Sequence, residues 1–538
     1  MKHSIAYFAL FVCINILYGA CRNKEYSSAF TFFDKVNIEE LSQYLQKDST
    51  LFFADINEAN DIAIKNMDSI LYHFYANRTW QPVWISKEGL YPGTHRFIAE
   101  IPDLIWENIP SDSSLYHIVK SHYADFVRSQ SYDNTKSLAE FEIGLSKLYN
   151  QIANALLRGT HFKENYIPKI IMPTNDTSSD LSFYLKDSLL IDSLSVLDRC
   201  RPSHPWYKKL LSEKKRLYEL QASYDSLKDA SGRNSMIRQM KILANISISD
   251  TSLLSESDFA KQLIYTKYQL GLKPDTILDE DLKSSLSKPL SYRIALIDKS
   301  IERLRWFKND YQKEFVWVNI PQMIVEYFEN DTVRYRMRAV VGRAARPTPV
   351  LQAPLTQIVL SPPWTVPPTI LKNDVLPGVL RRGGSYLARK GLKAYDSRGR
   401  VVNASNINAS NYRNYSYSQA PGYNSSLGEV KFNMPNTESV YMHDTPHRED
   451  FVKRQRALSS GCVRLQKPKE FASFLLNDTI LYSYHTIDTL CKTRKTKFIP
   501  MPRKLMVYFA YHTAAVDSVG TVIYLPDIYG LDARMKMN

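Results

Sequence analysis

Val440-Tyr441-Met442-His443-Asp444-Thr445-Pro446 and Ser459-Ser460-Gly461-Cys462-Val463-Arg464 organise the reading of this chain, with Cys462 nineteen positions after His443 (462 − 443 = 19). Val440 to His443 reads as a short strand, and a period of two puts Tyr441 and His443 on one face. Ser459-Ser460-Gly461 reads as a tight turn, in which a glycine beside the thiol leaves room for a substrate backbone. Cysteine attacks acyl centres as the thiolate, so it needs a neighbouring base or positive charge. His443 is the candidate base. Arg464 adds positive field or holds a substrate carboxylate. Main-chain N–H groups around Gly461 and Cys462 offer an oxyanion hole, worth about 3–4 kcal/mol per donor. His443 must itself be oriented, either by Asp444 or by a backbone carbonyl.

Bland readings compete. A lone cysteine is most often a small buried hydrophobe, and a lone histidine a core or surface residue. His443, His447 and Cys462 also make three zinc-type ligands, but no second cysteine lies near Cys462, so no metal is expected.

Working outward, Phe315 to Ile320 alternates as a strand does, Asn330-Asp331 offers a turn, and Val333, Tyr335, Met337 and Ala339 alternate with Arg334, Arg336 and Arg338. This predicts a hairpin with one buried and one basic, solvated face. Ser361-Pro362-Pro363-Trp364-Thr365-Val366-Pro367-Pro368 excludes helix and central strand and predicts a rigid extended loop. About fifty polar, Asn- and Tyr-rich residues follow, and a loop of that length in a β domain reads as a lid or binding insertion. Upstream, Met67, Ile70, Leu71 and Phe74 share a helical face. Leu138, Phe141, Leu145, Leu148, Ile152 and Leu156 do the same, before a stop at Arg158-Gly159. The charged stretch from Trp206 to Lys228 is a further helix.

The chain has 538 residues, enough for two to four domains. Its 44% hydrophobic and 23% charged composition is that of folded material. A net charge of +14 suits anionic partners such as a cell wall, or simply a solvated basic surface. No basic run interleaved with aromatics resembles a nucleic-acid module, so no nucleic acid is expected. Lys2 and His3, an apolar stretch from Ile5 to Leu17 and then Gly19-Ala20-Cys21 have the layout of a secretory signal. The small residues before Cys21 look like a lipobox, which would make Cys21 a lipidated first residue of an exported protein; cleavage without lipidation and retention of the segment as an anchor are the alternatives. Of the five cysteines, Cys200 and Cys491 are a conceivable pair, which leaves Cys462 as the odd thiol.

The His443 to Cys462 spacing and Ser-Ser-Gly-Cys-Val-Arg resemble the YkuD-type L,D-transpeptidases. So do Arg303-Leu304-Arg305-Trp306, Val318-Asn319-Ile320-Pro321, Val341-Gly342-Arg343, Pro362-Pro363-Trp364, Gln419-Ala420-Pro421-Gly422, Lys431-Phe432-Asn433-Met434-Pro435 and Asp527-Ile528-Tyr529-Gly530. The closest resemblance is to the large Gram-negative members. It implies a multidomain α+β chain with a signal peptide at 1–20 and a tether at 21–60. A mainly helical scaffold at 61–235 and a small helical peptidoglycan-binding-like module at 236–290 would follow. A mostly β catalytic domain at 310–538 would then carry a capping insertion at about 370–420. Thr276 and Asp279 depart from the glycines usual in the module.

The resemblance further implies that His443 deprotonates Cys462 and that Ser460 and Gly461 shape the turn. Peptidoglycan stem peptides would be the substrates, carbapenem β-lactams the inhibitors, and no cofactor would be needed. The expected location is the periplasm. Tyr441, Trp364 and Asp444 are the candidate substrate-binding residues, with core packing an open alternative for the two aromatics. Papain-like enzymes place Cys before His and sortases place His much farther upstream, so both fit less well. A wall-binding lipoprotein that kept the fold without the chemistry is the rival of a different class.

Overall fold

The computed structural model describes residues 30–31, 35–48, 51, 71–109, 114–132, 134–160, 197–227, 232–245, 255–307 and 313–535. The expected signal, Cys21, most of the 21–60 tether, and Met67 and Ile70 lie outside the described residues. The chain divides into two compact units. One comprises Met1–Thr160 with Asp176–Pro202, the other His161–Asn175 with Ser203–Asn538.

The first unit is built on the 24-residue helix Thr135–Arg158. Asn134 caps its start, accepting from the Ser137 N–H, and Gly159 ends it at φ +80°. Leu138, Phe141, Leu145, Leu148, Ile152 and Leu156, the expected apolar face, are all buried. Helices Ile38–Lys47, Pro92–Glu100 and Ser114–Ser129 accompany it, with three short strands, β1 (Phe30–Thr31), β2 (Ile85–Ser86) and β3 (Gly89–Leu90), in the order β1-β3-β2. Glu142 is buried at its centre. Its carboxyl accepts from the Tyr75 hydroxyl at 2.7 Å and the Trp84 N–H at 3.1 Å, while burial pushes its pKa up to about 7.

In the second unit, helices Trp206–Asp225, Arg233–Leu243, Glu256–Gln269, Glu280–Leu286 and Leu290–Arg305 share one apolar core with a large sheet. The first of these departs from the expected scaffold boundary near 235. Trp206 packs edge-on against Trp317, with 5.7 Å between ring centroids, and the Tyr207 hydroxyl accepts from Arg305, so the helix belongs to the second unit. In the 236–290 stretch, Asp279 has a structural role. It caps Glu280–Leu286 through the Leu282 N–H at 2.9 Å and takes the buried Lys267 ammonium at 2.6 Å.

The strands of this unit are β4 (Glu314–Asn319), β5 (Ile324–Glu329), β6 (Thr332–Gly342), β7 (Leu351–Leu360), β8 (Trp364–Thr365), β9 (Leu392–Tyr395), β10 (Val401–Val402), β11 (Ser416–Gln419), β12 (Val430–Asn433), β13 (Met442–His443), β14 (Ala457–Ser459), β15 (Val463–Leu465), β16 (Lys497–Ala510), β17 (Ala514–Val516) and β18 (Val522–Tyr524). The large sheet runs β14-β6-β15-β13-β12-β7-β16-β4-β5, and pairing of β5 with β6 closes it on itself. Asn330 and Asp331 both have positive φ, 46° and 62°, as a two-residue hairpin turn requires. The hairpin they join is β5–β6; the 315–320 run is a third strand, turned back at Met323 (φ 54°).

The stretch after β7 is a folded subdomain, not the expected loop. Short helices at Pro368–Ile370, Leu376–Arg382 and Gly384–Arg389 lie in the chain between β8 and the other strands of a sheet ordered β10-β9-β11-β8. Val366, Val375, Val379, Leu387, Leu392, Ala394, Tyr412 and Tyr417 give it a core of its own, scattered too thinly along the chain to show a period. The proline-rich segment supplies β8 at the edge of that sheet, where a missing N–H is tolerated.

Candidate active site

Strand register builds the site. Lys431 on β12 stands opposite His443 on β13, and His443 stands opposite Arg464 on β15. Opposed residues of a pleated sheet point to the same face, and so do residues two apart along a strand. Lys431, Tyr441, His443, Cys462 and Arg464 therefore project together. The other face carries Phe432, Met442 and Val463, each fully buried in the core. The Val463 N–H donates to the Tyr441 carbonyl at 3.0 Å, which extends the parallel ladder and brings Cys462 alongside Tyr441.

His443 is buried, and its Nδ1 lies 2.5 Å from the Asp444 backbone oxygen. A carbonyl only accepts, so Nδ1 carries the proton and Nε2 keeps its lone pair. The orienting group is thus the main-chain carbonyl of Asp444. Burial holds the imidazole pKa down at about 3, with Arg464 and Lys431 acting in the same direction. The Asp444 side chain does not line the site as expected of a substrate contact. It is fully buried, and its carboxylate accepts from the Glu429 N–H at 2.8 Å, the Thr445 N–H at 2.7 Å and the Arg448 guanidinium. These bonds lock the segment whose carbonyl holds His443. Gly428 (φ 58°) leaves the room, since a Cβ there would sit 2.4 Å from the Asp444 carboxylate.

The Cys462 thiol is half-buried. Burial pushes it up to about 11, against the pull of the Tyr441 main chain, the Lys431 ammonium, the Tyr441 hydroxyl and Arg464. Trp364, on β8 at the edge of the insertion, acts on the Tyr441 hydroxyl and pulls its pKa down against the effect of burial. The Tyr441 and His443 rings meet edge-to-face at 5.7 Å. Arg464 is paired with Asp450 at 3.3 Å. At rest the site holds a neutral thiol and a neutral imidazole.

The turn before the nucleophile is held from three sides. Ser459 Oγ donates to the Cys462 carbonyl at 2.6 Å and accepts from the Gly461 N–H at 3.2 Å. Of the two expected oxyanion donors this leaves the Cys462 N–H. Gly461 has φ +117°, which disfavours any side chain. Thr348 Oγ1 donates to the Gly461 carbonyl at 2.7 Å and accepts from the Gly342 N–H at 2.8 Å. Behind Thr348, the Tyr529 hydroxyl accepts from the Thr348 N–H at 3.2 Å and donates to the Gly342 carbonyl. Ser460 Oγ accepts from Arg346 at 3.2 Å, and Arg346 reaches Asp374 of the insertion at 2.5 and 3.0 Å.

Gly342, Arg346, Thr348, Gly428 and Lys431 carry none of the chemistry expected from sequence. The segments around Gly342, Lys431 and Tyr529 stand out there only by resemblance, with no role attached to any residue. His447 is exposed and pairs with Glu449, and among the described residues no cluster of His, Cys, Asp or Glu is arranged to hold a metal. Cys200 and Cys491 form no disulfide, each being buried in the core of its own unit, so the conceivable pair is not made. Among the described residues no helix is long and apolar enough to cross a membrane.

Residues 313–493 match the family model described as the YkuD L,D-transpeptidase catalytic domain, and residues 69–213 match one described as a scaffold domain. A Haemophilus influenzae protein described as "Putative L,D-transpeptidase" is 34% identical over 225 residues, 41% of this chain and 45% of that protein. The chain thus matches less than half of the length of that relative. A solved structure described as the Ldtfm–avibactam carbamoyl enzyme is similar over 38% of this chain and 52% of that one, at 10% identity and a TM-score of 0.20, too low to carry an argument. The closed sheet and its Cys–His face lie inside the segment 313–493, which is similar to the YkuD L,D-transpeptidase catalytic domain, and the segment 69–213 upstream is similar to a scaffold domain.

Proposed function

We propose that the protein is an L,D-transpeptidase that remodels peptidoglycan through a thioester on Cys462. The observation that carries this reading is the register of β12, β13 and β15, which sets a thiol and a tautomer-locked imidazole on one face of the family's catalytic domain. His443 Nε2 takes the thiol proton as Sγ attacks the carbonyl of the third residue of a stem tetrapeptide. The developing oxyanion is met by the Cys462 N–H. The terminal D-alanine leaves with the proton from His443. An amine of a second stem then resolves the thioester as a 3→3 cross-link, and a free D-amino acid gives exchange instead.

Trp364 and Tyr441 wall the acyl donor, and Arg464 meets its carboxylate. Carbapenems, which present a strained acyl group to the same thiol, are expected to acylate Cys462. The charged, apolar and small-residue order of residues 1–21 supports export to the cell envelope, with a lipid on Cys21. Turnover of a disaccharide-tetrapeptide by purified protein tests the reading. Cys462→Ala and His443→Ala should each abolish it while the protein stays folded. Activity retained by Cys462→Ala would reject it.

A further inference from the structure

Lys431 has no role in the chemistry above, yet it stands opposite His443 in the ladder and its Nζ lies 4.2 Å from the centre of the Tyr441 ring. The cations around it are paired with carboxylates: Arg464 with Asp450, Arg448 with Asp444, and Lys469 with Glu429 and Asp488. Among the described residues no carboxylate pairs with Lys431. The groups that face it are Tyr441 and His443 from β13 and Cys462 and Arg464 around β15. Of these, only the thiol acquires a negative charge during acyl transfer.

We propose that Lys431 is the counter-ion of the Cys462 thiolate, a catalytic residue that faces the sulfur while it carries charge. This rests on reading Cys462 as the nucleophile. In the step concerned the S–H bond breaks, the proton passes to Nε2 of His443, and the sulfur electron pair forms the bond to the acyl carbon. Two neutral groups thereby become an ion pair in a half-buried site, where separating charge is costly. The Lys431 ammonium is already positive and lies on the thiol's side of the sheet, so it favours the anion without itself changing protonation. The mutual pull between Lys431 and Cys462 agrees with this placement. Arg464 has Asp450 to neutralise it, which leaves Lys431 as the stronger source of field.

The test is the pH dependence of Cys462 alkylation by iodoacetamide, read by peptide mass so that Cys200 and Cys491 are excluded. An opposite charge within about 4–6 Å moves a pKa by roughly 1–3 units, so Lys431→Met should slow alkylation at least about tenfold at about pH 7. Its apparent thiol pKa should rise in parallel. Lys431→Arg should restore the rate to within about threefold, since it keeps the charge. Lys431→Gln reads the same loss of charge if the Met variant does not fold. An unchanged thiol pKa in a folded, uncharged variant overturns the proposal. Alkylation needs no peptidoglycan, so a Lys431-dependent thiol in a protein with no turnover would refute the transpeptidase reading alone.

Discussion

Gly428→Ala is the substitution whose consequences the structure specifies most fully. Gly428 lies at φ +58°, and a Cβ built there meets the Asp444 carboxylate at 2.4 Å and its Cβ at 2.6 Å. The backbone conformation alone costs an alanine about 1–2 kcal/mol. The overlap adds roughly 1–3 kcal/mol, because the Asp444 side chain is fully buried and tied to Glu429, Thr445 and Arg448. Gly399 isolates the second term. It has φ +76° with nothing within 4 Å of its Cβ, so Gly399→Ala meets only the first cost.

Denaturant unfolding of the two variants should therefore differ by roughly 1–3 kcal/mol, with Gly428→Ala the less stable. A shift of Asp444 also draws its carbonyl off His443 Nδ1, so acylation of Cys462 should slow in Gly428→Ala and stay unchanged in Gly399→Ala. Equal losses of stability and equal acylation rates in the two variants would show that Asp444 does not set the position of the imidazole.

Arg346→Met should free the insertion from the nucleophile turn. It removes two bonds to Asp374 and one to Ser460, and because Asp374 is 41% exposed the stability loss should be about 1 kcal/mol or less. Amide hydrogen exchange should quicken over residues 368–389 while the large sheet is unaffected. Tyr529→Phe strips the hydroxyl from the Gly342 carbonyl and the Thr348 N–H, at a cost of roughly 1–3 kcal/mol, and should lower the midpoint of thermal unfolding with a slower acylation step. Acid should destabilise the fold partly through His443. Its pKa falls from 6.5 to about 3 on folding, so its contribution is complete above the unfolded value and is lost as pH falls toward 3, by about 2 kcal/mol at about pH 5. His443→Gln should flatten that part of the stability profile measured by denaturant titration.

Local patterns were the legible part. The apolar period of Leu138 to Leu156 and the Asn330-Asp331 turn each rest on neighbours in the chain, and both are where the pattern puts them. The His443 to Cys462 signature was legible as chemistry because both residues fall within one stretch of sequence that resembles the family's motif, although β14 intervenes between their strands. What brings Lys431 opposite His443 is a register between strands, and what keeps Gly428 small is a carboxylate sixteen positions away (444 − 428 = 16). Neither leaves a periodic trace. Asp444 misled for a related reason. An acidic residue beside a catalytic histidine suggests contact with substrate or imidazole, yet only its carbonyl reaches the ring. The insertion read as a loop because its small core is drawn from ten residues spread over about fifty.

The central claim is that Cys462 becomes an acyl-enzyme, and the most direct measurement is the intact mass of the full chain after incubation with a disaccharide-tetrapeptide. The account predicts an adduct of the donor less D-alanine, mapped to Cys462, absent from Cys462→Ala and accompanied by free D-alanine. A folded protein that releases D-alanine with no adduct in wild type and at the same rate in Cys462→Ala would contradict it.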